Sequence, residues 1–184
     1  MFAWRQFVFT PLLMALLLLG NDVLSMAITT DRAGYSRRPG RWNVRATISG
    51  AVVVAGPLLA VSVGLLWVGR DIWPRLDLDH LRTLIFLTLV VSSQATIYLV
   101  RTPAHAWTSR PGRWLITATA ADIAAAPTLA LTGTLMPPLP ATVAALVLAA
   151  VAAAAFAADL GKVPAFKAFG LHRLWRAPEP ASRR

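Results

Sequence analysis

Asp22 is the residue of this chain best placed to do chemistry. It follows Gly20 and Asn21 inside an apolar stretch from Thr10 to Thr29, long enough to cross a bilayer as a helix. An ionised aspartate at the centre of such a helix costs about 2.5–3.5 kcal/mol on insertion scales, so acids kept there face a cavity or a partner and commonly handle ions. A conformational change that alters the surroundings of such a carboxyl can make it take up or release a proton. On a regular helix Asp22 shares a face with Leu18, Leu19, Ser25 and Met26, and Asn21 points elsewhere. Glycine weakens helix, so the chain could instead unwind around Gly20 and gather Asn21, Asp22 and free carbonyls at one point. The alternative is a structural acid, neutral or paired with a neighbouring helix.

Asp122 is the second acid within an apolar stretch, near Thr117, Thr119 and the helix-kinking Pro127. It is expected to bond Thr119 or a neighbouring helix, since interhelical polar bonds are common in bilayers, with a second ion-path role as the alternative. Gln94, with Ser92 and Ser93, reads as helix-to-helix hydrogen bonding; Asp122 and Gln94 are the candidates for a secondary polar site. Asp31 and Arg32 end the first apolar stretch and are expected to be solvated or to contact a domain outside this chain. His80, His105 and His172 lie in loops or tail, separated by topology, so no metal site is expected. Cysteine is absent, which removes disulfides and thiolate ligands.

The elements that must position these residues follow from composition. With 57% hydrophobic and 14% charged residues in 184, the chain reads as a membrane protein. Five stretches approach the roughly 20 residues needed to cross the hydrocarbon: Thr10 to Thr29, Ala46 to Gly69, Leu84 to Val100, Trp114 to Gly133 and Ala141 to Ala158. Lipid satisfies no backbone polar groups, so all five should be helical. The expected class is all-α: a polytopic membrane bundle of about five transmembrane helices.

A net charge of +10 would suggest nucleic acid in a soluble protein, but the basic residues stand between apolar spans and no nucleic-acid partner is expected. They follow the first, third and fifth spans, which puts those segments in the cytoplasm by the positive-inside rule. Residues 1–9 are then an external stub, 10–160 the bundle and 161–184 a basic cytoplasmic tail. A short outside N-terminus that lacks the features of a signal peptide fits a chain that begins mid-protein. Arg70 to Arg82 balances its arginines with Asp71, Asp77 and Asp79, and Trp67 and Trp73 suit an interfacial belt. Leu135 to Pro140 should make a tight external hairpin. The alanine-rich fifth span suits close packing through small side chains. Lys162 to Arg176, with Phe166, Phe169 and Trp175, resembles an interfacial helix facing lipid headgroups.

Asn21-Asp22-Val23-Leu24-Ser25-Met26-Ala27-Ile28-Thr29-Thr30-Asp31-Arg32 resembles the sixth transmembrane helix of P-type ATPases, most of all the plasma-membrane proton pumps, whose pattern is N-D-G-T-I-M-T-I-S-K-D-R. Ser93-Gln94-Ala95-Thr96-Ile97-Tyr98-Leu99-Val100-Arg101 is similar to their eighth helix, and Arg110-Pro111-Gly112 follows at their spacing. Asp159-Leu160-Gly161-Lys162 to Phe169 resembles the exit of their tenth. The resemblance thus runs from helix six to helix ten. It implies that Asp22 matches the acid that takes up and releases the transported proton, with Asn21 beside it in an unwound stretch. Val23 and Leu24 stand where the pumps have glycine and threonine. The arginine and asparagine that serve the acid, on helices five and two, lie outside this chain.

The chain has no D-K-T-G-T phosphorylation motif, no T-G-E-S motif, no Walker loop and no nucleotide-binding insertion, so alone it is not expected to hydrolyse ATP. The resemblance implies ATP and magnesium only for absent cytoplasmic domains, and no cofactor for this chain. Expected partners are the lipid bilayer and a separate chain carrying helices one to five with the ATPase domains. The alternative is a stand-alone multipass protein, a proton-linked carrier or an accessory subunit. A plasma membrane or bacterial inner membrane suits the resemblance.

Overall fold

Thr10 and Pro11 start the first helix. The Thr10 hydroxyl accepts a hydrogen bond from the Leu13 amide at 3.3 Å, and proline at the first helical position loses only an N–H that has no partner there. In a computed structural model, which describes residues 10–31, 44–71, 77–102 and 104–168, five α-helices follow in order. They are α1 (Pro11–Thr29), α2 (Val44–Asp71), α3 (Leu78–Val100), α4 (Arg113–Thr132) and α5 (Ala141–Ala168), with a single 3₁₀ turn, Ala106–Thr108, before α4. All five are long and apolar enough to cross a bilayer, and the described residues contain no strand. The protein is an all-helical, multipass bundle.

α3 and α5 outrun their apolar stretches furthest. α3 begins at Leu78, with Asp77 at the cap position, its side chain making no cap hydrogen bond, and Asp79 in the first turn, where a carboxylate favours the positive end of the helix dipole. His80 is therefore helical rather than in a loop. α5 continues through Pro164 to Ala168, and Lys162 within it is completely buried rather than turned to headgroups. The rest of the segment expected as an interfacial helix, from Phe169 on, lies outside the described residues, as do residues 1–9.

α3 is the central element. Half of its most apolar stretch is buried, against 17% for α1 and for α2. It packs on all four other helices, while α2 and α5 form the closest pair. Ala144, Val147, Val151, Ala154 and Ala158 are the buried line of α5, and Val54, Leu58, Val61 and Leu65 run along α2 at the same alternation of three and four. That spacing keeps a seam facing its neighbour with little twist, and small side chains let the backbones close in where lipid gives no hydrophobic drive.

The α4–α5 connection is tight. Gly133 ends α4 in the left-handed region at φ 69°, and a Cβ there would lie 3.0 Å from Pro138. Leu139 N–H donates to Ala130 O at 2.7 Å, and Thr83 of α3 donates to Pro137 O at 3.0 Å.

Candidate functional site

α1 turns a line of Leu13, Leu17, Gly20, Leu24 and Ala27 inward. The opposite line carries Leu18, Asp22, Ser25 and Met26, all exposed. Asp22 thus lies on the outer surface of the five-helix bundle, and its carboxyl makes no hydrogen bond or ion pair among the described residues. The helix is unbroken across Gly20, Asn21 and Asp22, which corrects the expectation of an unwound stretch. Gly20 serves packing instead of bending. A Cβ at Gly20 would stand 3.5 Å from both carboxyl oxygens of Asp122, so the bare glycine lets α1 lie directly against that acid. Asn21 is half-buried and does not converge with Asp22.

Asp122 of α4 faces inward and meets α3. Gln94 Nε2 donates to Asp122 Oδ2 at 2.6 Å. The partner is a neighbouring helix and not Thr119, which instead accepts from the Tyr98 hydroxyl at 3.3 Å. Gln94 and Asp122 are therefore brought together, while Asp22 stands apart from both.

The densest polar structure gathers where α1, α3 and α5 end and α4 begins. Asp31 is not solvated: it forms a buried ion pair with Arg101 Nε, with side-chain exposures of 1% and 4%. Its other oxygen accepts from the Gly112 amide at 2.7 Å, and a Cβ on Gly112 would come within 2.9 Å of it. Arg101 also donates to Ser109 O, to Ser109 Oγ and to Arg110 O. Nearby, Asp159 accepts from Lys162 Nζ at 2.8 Å and from the Ala106 amide at 2.9 Å, and bonds His105 Nδ1 at 2.8 Å. Lys162 Nζ reaches Leu99 O at 2.9 Å, and His105 stacks on Trp107. Sequence reading separates these groups; only their common place at helix ends hints at a meeting.

No protein-family model matches the chain. A protein of Methanocaldococcus jannaschii, whose name proposes a cation-transporting ATPase, is 30% identical over 100 residues. The chain is similar to part of that protein. The match takes in 53% of this chain but only 12% of the relative. This likeness and five apolar helices fit a membrane region related to that of a cation-transporting ATPase.

Proposed function

We propose that this chain is the membrane region of a P-type cation-transporting ATPase corresponding to helices six to ten, with the proton as the transported ion. In this reading Asp22 binds the ion with Asn21 nearby, and a separate segment carrying helices one to five and the ATP-using domains completes the site. One observation carries it. Asp22 is exposed near the middle of a continuous apolar helix, where an uncovered carboxylate is expensive, and a further helix packed on that face would cover it. An apolar groove beside it, lined by Val23, Met26 and Ala27 of α1 and by Trp114, Thr117 and Ala118 of α4, leaves room for such packing.

The test is reconstitution. The chain and a segment bearing helices one to five with the ATPase domains are placed together in proteoliposomes, and ATP-driven acidification is followed with a pH-sensitive dye. Asp22→Asn should abolish the signal; unchanged transport would refute the assignment.

The polar lock at the helix ends favours a second reading, because Asp31 and Arg101 satisfy each other within the chain. A stand-alone proton-linked carrier or accessory subunit would have this self-contained end. Purification from native membranes separates the two: recovery with an ATPase segment supports the pump, and recovery without one supports the carrier.

A further inference from the structure

The Asp122 carboxyl occupies the point where α1, α3 and α4 meet. Gln94 Nε2 donates to its Oδ2 at 2.6 Å, and Gly20 closes the α1 side. The other atom of the same amide, Gln94 Oε1, is buried and receives no hydrogen bond among the described residues, and Gln94 as a whole is 3% exposed. A carboxylate offers acceptors only and cannot serve that oxygen, whereas a carboxylic acid carries one O–H donor as well. A planar acid facing a planar primary amide closes two hydrogen bonds at once, one in each direction.

Among the described residues no cation pairs with Asp122. Arg113 of α4 begins that helix, far from its middle. On α3, Asp79, His80 and Arg82 stand at one end and Arg101 at the other, with Tyr98 engaged by Thr119. α1 turns Asp22 outward and keeps Asp31 on Arg101. α5 offers Asp159 and Lys162, bound to each other near its end. An acid in the membrane with no counter-charge is far better accommodated neutral.

We propose that Asp122 is a proton-binding site intrinsic to this chain, a carboxylic acid whose O–H donates to Gln94 Oε1. The site takes one proton from water, an O–H bond forms on the carboxylate, and nothing is oxidised or reduced. It does not depend on the role given to Asp22, because every group it uses lies within this chain.

Infrared spectroscopy of the full chain in liposomes, with aspartate ¹³C-labelled at the carboxyl, tests this at neutral pH. The wild type should show the C=O stretch of a protonated, hydrogen-bonded acid. Asp122→Asn, nearly isosteric, should remove that band, and Asp22→Asn should leave it. Gln94→Leu should move it to higher frequency, because the acid carbonyl loses its N–H donor; Gln94→Asn, one methylene shorter, should move it too. A wild-type spectrum without the band, a band that survives Asp122→Asn, or one that neither Gln94 variant moves would overturn the proposal.

Discussion

Asp22 and Asp31 are nine residues apart and live in opposite settings. Asp22 has no bond within the bundle, so Asp22→Asn should leave the stability of the isolated chain within about 0.5 kcal/mol, as at other sites that touch nothing. In an insertion assay on the α1 segment, Asp22→Leu should favour membrane entry by about 3 kcal/mol, the difference between an acid and a leucine at a helix centre. Asp31 is the reverse case. Arg101→Ala strands its buried carboxylate and should cost about 3–5 kcal/mol, measured by unfolding in detergent. Asp31→Asn combined with Arg101→Ala should recover part of that loss, since no lone charge remains. Sequence pattern exposes Asp22 because it breaks an apolar run. Asp31 gives no such sign: its partners are 70 and 81 residues away, and a charge at a helix end looks solvated until the chain folds.

At the scale of elements, length and apolarity are enough to place all five helices, because lipid leaves the backbone no other way to bond itself. Their ends are harder. α3 starts among Asp77 and Asp79, polar residues that a hydropathy window excludes, and the extension of α5 carries Lys162 onto Leu99 O and Asp159. The α4–α5 hairpin is legible as far as its prolines, while the positive φ of Gly133 is a product of the closed turn. Gly133→Ala should therefore destabilise by about 1–2 kcal/mol, the cost of a left-handed L-residue, with a further loss from contact with Pro138. Thermal unfolding in detergent would read it. Gly20 misleads in the other direction: it suggests a break in α1 and serves instead as a close seat for Asp122.

For the whole molecule, several residues that carry the resemblance prove to be spatial neighbours, although Asp22 and Gln94 lie apart from them. Asp31, Arg101, Arg110, Gly112, Asp159 and Lys162 lie in separate stretches of sequence yet converge at the end of the bundle where the basic segments emerge. The opposite end holds the Gly133 hairpin and the start of α3. Because the chain has no cysteine, single substitutions can map this polarity directly. Thr108→Cys and Thr134→Cys, both at exposed positions, should react with an impermeant thiol reagent from opposite faces of a sealed membrane, Thr108→Cys from the cytoplasmic one. Labelling of both from one face would sink the five-span arrangement. The Asp31–Arg101 pair also acts as an indexing pin for α1. Asp31 lies two residues past the end of α1, so the pair holds the exit of the helix while Gly20 against Asp122 holds its middle, and with both contacts made Asp22 faces outward.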